Sequence, residues 1–411
     1  MHIFLFILYC LICGYGIVKL PYIRRSGIKP VLLLALFFIH VLTGCLHNVI
    51  AYKYFPNHGD IWHYFYHSFF LRHQMLTDFH TFITDWTWSW LTHENLMFIH
   101  IVLNCFSLDN LYINTLLFSF PVFLGNIALF RVFRRRFPGD LLPAAMIFLL
   151  PSVLFWTSCI HREALLYMLL GFLLSGIDRL LANGFQTRRF YACLLWVALI
   201  VFFRSAFVFS LLPALFIWIW LESRPARPVL TGLAIAAIAG IILLNFLVPG
   251  LTIPAIIAEK QREFDVLQAH SRIFFPVLDG TWNSLQRSLA YIVMNGLFAP
   301  LPGQGGQAIY LAFSLELFAI WAIVAIALVG HTTRAIILAP PSHNRGFALF
   351  CIVLALCGML EIGATVPFVG AIVRYRSIYL PFLLAPFLHA LRTLPLVGKT
   401  SQWLFHHCLI N

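Results

Sequence analysis

The sequence predicts an all-α polytopic membrane protein. Of its 411 residues, 61% are hydrophobic and only 10% are charged, whereas a soluble domain is about half apolar and a quarter charged. The mean hydropathy is +0.88, and apolar runs of about 20 residues, the length of a transmembrane helix, recur along the chain. Lipid must therefore cover much of the apolar surface.

Apolar runs account for most of the chain. They fall at 1–18, 31–51, 108–130, 141–157, 164–182, 229–248, 308–330, 347–366 and 377–391. A further segment, 190–221, is too long for one span and too short for two, and Arg204 and Ser205 interrupt it. We expect a broken or re-entrant helical hairpin here, because interrupted helices at membrane depth line polar cavities. The total is about 10–11 membrane segments, which form a single integral-membrane domain over residues 1–411.

Two longer segments separate groups of these runs. Residues 52–95 are rich in aromatic residues and histidine, which predicts short amphipathic helices lying in the membrane interface. Residues 249–307 are expected to contain one helix followed by an extended stretch rich in Pro and Gly. The first apolar run lacks the basic start of a cleavable signal peptide. The nine cysteines lie mostly within apolar runs, so we expect small apolar fillers, not redox or zinc sites.

The formal charge of +12 is best explained by membrane topology. The basic residues are scattered among apolar runs and do not line one solvated face, which argues against nucleic-acid binding. With the N-terminus outside, most of the 27 Lys and Arg residues fall in inside segments, as the positive-inside rule requires. This predicts a multi-pass protein of the cytoplasmic (inner) membrane, with residues 52–95 and 249–307 on the outer face.

The stretch NHGDIWHYFYH at 57–67 contains the candidate catalytic acid, Asp60. A carboxylate in a partly desolvated mouth holds a proton more readily, which suits a general base. The same residue could instead cap the helix that follows. His58, Asp60 and His63 could also bind a divalent metal ion. Asp78 and Asp85 are the other acids of this segment that could serve as the base.

Arginines near the predicted outer face form the second candidate group. Arg374 and Arg376 flank Tyr375 just before the last apolar run, and guanidinium groups bind phosphate bidentately. They could alternatively be anchors that reach toward the interface. Arg204 lies at the tip of the predicted hairpin, where a charge at membrane depth requires a partner or a substrate.

The segment CIHRE at 159–163 combines both kinds of group. Glu163 is expected to be structural, because a negative charge is favoured at the start of a helix. His161 or Arg162 could instead face a cavity.

Taken in order, these motifs resemble the GT-C class of integral-membrane glycosyltransferases. The resemblance depends on HGDIWHYFY with Asp60, LPSVLFWTSCIHREAL at 150–165, FFRSAF at 202–207 and GAIVRYRSIYLPFL at 370–383. It covers most of the chain, although the motifs are short and degenerate. Many members of the class have two adjacent acids in the first outer loop, whereas Asp60 has no acidic neighbour.

The resemblance implies transfer of a sugar from a polyprenyl-phosphate carrier to an acceptor glycan, lipid or protein at the outer face, in the synthesis of cell-envelope glycans. Asp60 would deprotonate the acceptor hydroxyl, which displaces the carrier phosphate with inversion. The carrier phosphate would be bound by Arg374, Arg376, Arg204 and Arg162. The substrate would be bound by His58, Trp62, His63, Tyr64, Trp86, His161 and Tyr375. The donor is the lipid-linked sugar, a divalent metal stays an open alternative, and the expected partners are membrane lipids and not nucleic acid.

Two other functions stay open. A lipid-linked polysaccharide polymerase or ligase would also use outer arginines, but it would not need a base at Asp60. A transporter or flippase of a lipid-linked anionic solute would also contain broken helices and buried arginines. Against transport, the sequence contains no inverted repeat, and its membrane-embedded charges are predicted at one face.

Overall fold

The computed structural model confirms an all-α polytopic architecture. It describes residues 1–55, 58–84, 96–223, 227–247, 252–266, 271–306, 308–329 and 343–409, and these contain no β-strand. The helices are α1 (His2–Lys19), α2 (Pro21–Arg24), α3 (Pro30–Tyr54), α4 (Gly59–Thr77), α5 (Phe79–Thr84), α6 (Leu96–Ser107), α7 (Leu111–Arg136), α8 (Leu142–Leu149), α9 (Pro151–Thr157), α10 (Arg162–Asn183), α11 (Thr187–Phe203), α12 (Val208–Glu222), α13 (Arg227–Leu247), α14 (Ile253–Asp265), α15 (Trp282–Arg287), α16 (Leu289–Val293), α17 (Ala308–Val329), α18 (His343–Thr365), α19 (Val369–Ser377), α20 (Leu380–Ala390) and α21 (Pro395–Cys408).

Within the described ranges, seven helices are long and apolar enough to cross a membrane, and the pair α19–α20, bent by 56°, would make eight. The sequence-based figure of about 10–11 segments also includes stretches that are too short to qualify. Residues 141–157, for example, divide into α8 and α9, because Pro151 has no N–H to continue the helix from Leu150. Helix α11, with 17 residues, is also short.

The interruption predicted at Arg204 is present. Helix α11 ends at Phe203, Arg204 adopts φ −159° and ψ 89°, and a 3₁₀ turn over Ser205–Phe207 leads into α12. The chain passes here from one compact unit, Met1–Ser205 with Lys399–Asn411, to a second, Ala206–Gly398. The re-entrant arrangement of the two arms stays a prediction.

The first unit is built around α7, which packs against α1, α3, α6, α8 and α10. Two glycines allow α7 and α10 to cross closely. A Cβ atom at Gly125 would lie 2.5 Å from the Cα of Met168, and one at Gly171 would lie 2.2 Å from the carbonyl oxygen of Gly125. Small residues at such crossings let helix backbones approach in a membrane, where apolar burial between helices supplies little attraction.

One end of the first unit is held by buried polar contacts. Arg136, at the end of α7, is 2.6 Å from a carboxylate oxygen of Asp178 on α10, and both side chains are buried. The hydroxyl of Ser401 on α21 donates to Asp140 at 2.6 Å. Oppositely charged or hydrogen-bonded partners offset the cost of burying these groups. The contacts therefore join the ends of α7 and α10 and connect the α7–α8 loop to the C-terminal helix.

The second unit is organised around α18. Trp218 of α12 is fully buried with its ring centroid 5.0 Å from that of Phe347 on α18. A glycine contact occurs here too, since a Cβ atom at Gly363 would lie 2.2 Å from the carbonyl oxygen of Ile292 and 2.6 Å from the nitrogen of Gly296. The same device therefore brings helices together in each unit.

Replacement of Gly171 tests the crossing in the first unit. Gly171→Ala would place a methyl group against the carbonyl of Gly125, and overpacking of this kind costs roughly 1–3 kcal/mol. We expect a lower melting temperature for the purified protein in detergent micelles. The control is Gly232→Ala on α13, where a Cβ atom would meet nothing within 4 Å and alanine favours the helix. Equal melting temperatures for Gly171→Ala and the unmodified protein would contradict the close crossing.

Candidate functional site

Asp60 is exposed in the first turn of α4. The chain enters this helix through two residues with left-handed backbone, His58 at φ 62° and Gly59 at φ 71°. The capping position itself is occupied by His58, whose side chain makes no cap hydrogen bond. Asp60 is therefore not the cap residue, although the positive end of the helix dipole favours a carboxylate at its position.

The neighbours of Asp60 attach α4 to the end of α3. Nδ1 of His58 lies 2.8 Å from the carbonyl oxygen of Tyr52, and the two rings stack with centroids 4.3 Å apart. Nε1 of Trp62 donates to the carbonyl oxygen of Asn48 at 2.9 Å. These contacts fix the start of α4, so His58 and Trp62 have a structural role whatever they bind.

The remaining predicted residues of this segment differ in exposure. His63 is exposed with its ring 4.3 Å from that of His67, and Tyr64 is half-buried. Trp86 lies outside the described residues. The metal alternative at His58, Asp60 and His63 stays a prediction.

Asp78, another candidate base, caps a helix. Its carboxylate accepts hydrogen bonds from the hydroxyl of Thr81 at 2.5 Å and from the backbone N–H of the same residue at 3.1 Å. The hydroxyl contact, followed by the N–H contact, lowers the pKa of Asp78 below its ordinary value. Because hydrogen bonds to the charged form weaken a base, these contacts make Asp78 a weaker base than a free carboxylate. Asp85 lies outside the described residues.

One hydrophobic cluster brings together the predicted segments of the first unit. It contains Ile61 of α4, Ile160 just before α10, and Phe203 at the end of α11. These are the chain neighbours of Asp60, His161 and Arg204. Three segments that are distant in the sequence therefore meet in one cluster of this unit.

Arg204 and Glu163 form an ion pair in this region. Nη1 of Arg204 lies 3.3 Å from Oε1 of Glu163, and their side chains are 18% and 3% exposed. Glu163 stands in the first turn of α10, next to the half-buried Arg162, which is the structural position expected for it. The carboxylate offsets part of the positive charge of Arg204. The first role of Arg204 is therefore structural, and its attraction for a phosphate is reduced.

His161 belongs to a buried cluster that the sequence did not reveal. The ligand atoms of His47, Cys159 and His161 all lie within 4.8 Å of one another, and imidazole and thiolate are ligands that zinc and copper prefer. The ring of His47 packs 4.6 Å from Phe155 and 5.0 Å from His161. The thiol of Cys159 is 3.8 Å from the carbonyl oxygen of Phe155. The three side chains therefore form a buried cluster of two imidazoles and one thiol.

The predicted phosphate-binding arginines of the second unit are in different environments. Arg376 on α19 is 1% exposed and donates a hydrogen bond to the carbonyl oxygen of Ala299. Arg374 is half-buried, with Nη2 3.1 Å from the hydroxyl of Tyr375 and its guanidinium 5.0 Å from the ring centroid. Asp60 belongs to the other compact unit, so its meeting with these arginines stays a prediction.

Loss of the carboxylate of Glu163 tests the ion pair. Glu163→Gln would leave Arg204 without this partner and should cost roughly 3 kcal/mol, the lower end of the range for buried pairs, because Arg204 is partly exposed. The double variant Glu163→Gln/Arg204→Met should recover much of the loss in detergent-solubilised unfolding experiments. The exposed pair Glu259–Arg262 supplies the control, since Glu259→Gln should cost less than 1 kcal/mol or so. Strictly additive single and double variants would contradict coupling between Glu163 and Arg204.

Comparison with known proteins gives no family for this chain. No protein-family model, curated protein or solved structure matches the chain.

Proposed function

We propose that the protein is a membrane glycosyltransferase that moves a sugar from a polyprenyl-phosphate carrier to an acceptor glycan, lipid or protein. The observation that carries this proposal is the single hydrophobic cluster formed by the neighbours of Asp60, His161 and Arg204. A transferase needs a base and phosphate-binding groups around one reacting centre. This end of the first unit gathers an exposed carboxylate, aromatic side chains and two arginines.

In the proposed reaction, Asp60 accepts the proton of an acceptor hydroxyl. The hydroxyl oxygen then attacks the anomeric carbon from the face opposite the carrier, and the bond between that carbon and the phosphate oxygen breaks. The electron pair leaves with the polyprenyl phosphate, and the configuration is inverted. General-base catalysis of this kind contributes about 10²–10⁴-fold to a rate. Cationic groups at the leaving phosphate stabilise its developing charge.

The arginines divide between binding and positioning in this proposal. Arg374 is half-buried and adjoins the Tyr375 ring, so its guanidinium can contact a phosphate that enters from the lipid. Arg376 is buried and bound to Ala299, so it would position the end of α19. Arg204 is paired with Glu163, and Arg162 beside that pair is the better phosphate contact in the first unit.

The proposed location is the outer face of the cytoplasmic (inner) membrane. Leu111, the first residue of the 26-residue helix α7, packs in the cluster beside Ile61. The same helix ends with Arg134, Arg135 and Arg136. The Asp60 end and a strongly basic end are thus opposite ends of one span. Because basic residues collect on the cytoplasmic side, we place Asp60 and the N-terminus outside.

Asp60→Asn is the main test of this function. Purified protein in lipid nanodiscs is supplied with a panel of synthetic polyprenyl-phosphate hexoses and pentoses, in membranes that contain cell-envelope acceptors. Release of polyprenyl phosphate is measured by mass spectrometry. The unmodified protein should release it, and Asp60→Asn should be at least about 100-fold slower because the base is lost. Asp78→Asn, which removes a carboxylate charge in the same segment but keeps a side chain able to cap the helix, should stay within about twofold, because a surface change of this kind has small effects.

The other outcomes assign different functions. An Asp60→Asn variant with full activity would remove Asp60 as the base and favour a polymerase or ligase. Movement of the intact lipid-linked donor between leaflets without release of polyprenyl phosphate would favour a transporter.

Arg374→Gln tests the phosphate contact. Loss of one charge-assisted contact to the carrier should weaken donor binding about tenfold or more, seen as a higher KM for the lipid-linked sugar. Arg287→Gln is the control, because Arg287 is exposed at the end of α15 in the same unit. Equal KM values for the two variants would remove Arg374 from the donor site.

A further inference from the structure

A cavity in the first unit is lined by residues that do not belong to the cluster around Ile61. It has a volume of about 170 Å³ and is lined by α10, α11 and the Tyr22 side chain of α2. Its lining includes the charged side chains of Arg179 and Arg189 and the aromatic side chains of Phe172 and Trp196. The cavity therefore combines positive charge with an apolar wall.

The positive charge at this cavity is not compensated. Arg131 is a third arginine near the cavity, with its guanidinium 5.6 Å from the ring centroid of Tyr22. Among the residues that the structure describes, no carboxylate lies within 4 Å of the guanidinium nitrogens of Arg179, Arg189 or Arg131. Asp178, the acid nearest in sequence, is bound to Arg136. One terminal nitrogen of Arg131 and one of Arg189 are buried without a hydrogen-bond partner. A buried donor without a hydrogen-bond partner raises the free energy of the folded protein, and neighbouring like charges raise it further. An anion that accepts hydrogen bonds from these donors would remove much of this cost.

Tyr22 is affected by the same charges. Burial raises the pKa of its phenol, and Arg131 and Arg179 act in the opposite direction. Both guanidinium groups are therefore close enough to Tyr22 to favour a negative charge beside it. The site is suited to an anion that brings several acceptor oxygens.

We propose that this cavity binds the phosphate group of an anionic ligand, and the setting favours a phospholipid headgroup over a free anion. Drug-sized ligands occupy roughly 300–1,000 Å³, so a cavity of 170 Å³ suits a phosphate group and not a whole nucleotide. Arg131 and Arg179 stand near the ends of the candidate spans α7 and α10, the level at which headgroup phosphates lie. Phe172 and Trp196 give an acyl chain an apolar surface. The inference is independent of the glycosyltransferase proposal.

The competing explanation is that these arginines only set topology. Topology depends on the number of basic residues near a span and needs neither a cavity nor a particular arginine. Arg188 and Arg189 separate the two explanations, because they are adjacent and identical in charge. Arg189 lines the cavity, whereas Arg188 is exposed and does not.

Arg189→Gln is therefore compared with Arg188→Gln. The full-length protein is purified in detergent, delipidated, and titrated with phosphatidylglycerol, phosphatidylcholine or inorganic phosphate. Bound lipid per chain is measured by native mass spectrometry, which does not depend on enzymatic activity. We expect phosphatidylglycerol to bind the unmodified protein and Arg188→Gln equally, and to bind Arg189→Gln about fivefold more weakly, as for the loss of one basic contact near the surface. Arg179→Gln should behave like Arg189→Gln.

Several results would overturn or redirect the proposal. Equal weakening in Arg188→Gln and Arg189→Gln, or no weakening in either, would leave only a non-specific effect of charge. Binding of phosphatidylcholine as tight as that of phosphatidylglycerol would contradict selection of a net negative headgroup. Binding of inorganic phosphate to the unmodified protein, with loss of that binding in Arg189→Gln, would support the phosphate site and assign it to a free anion. If Arg189→Gln is unstable, Arg189→Lys, which keeps the charge but not the planar fork, should show intermediate binding.

Discussion

The close crossing of α7 and α10 at Gly125 and Gly171 is the contact on which the first unit depends. In lipid, apolar burial between helices contributes little, so close backbone packing supplies much of the attraction. The glycines permit an approach that a methyl group would prevent. Because both helices are long enough to span a membrane, the crossing also sets the relation between their ends. The Arg136–Asp178 pair closes one end, and the cluster containing Leu111 and Ala164 forms the other.

Ion pairing separates the arginines of the first unit into two kinds. Arg136 and Arg204 each have a carboxylate partner on α10, so their charges help to hold that helix in place. Arg179 and Arg189 have none among the described residues, and they line a cavity. A charge next to a membrane must be neutralised by protein, water or ligand. The unpaired arginines are therefore the ones expected to recruit an anion.

Hydropathy was sufficient to predict the helical class and the interruption at Arg204, because lipid demands apolar side chains along a span and a charge marks its break. The preference for a negative charge at a helix start likewise predicted the position of Glu163. Neither could predict that Glu163 pairs with Arg204, 41 residues away, since that contact depends on how α10 and α11 pack. The cluster of His47, Cys159 and His161 could not be predicted either, because it also depends on how separate helices pack. Among the described residues, the predicted run 141–157 does not form one long span, because Pro151 separates α8 from α9.

The distribution of polar contacts also bears on the choice between transferase and transporter. A transporter must open its central site alternately to both sides of the membrane. In the first unit, the end opposite Asp60 is joined by the buried contacts of Arg136 with Asp178 and of Asp140 with Ser401. Opening a path there would break buried polar pairs, which is costly. The proposed transferase would need access only at the exposed Asp60 end, where an acceptor would arrive from water and a carrier from lipid. These buried contacts therefore agree better with the proposed transferase than with a transporter.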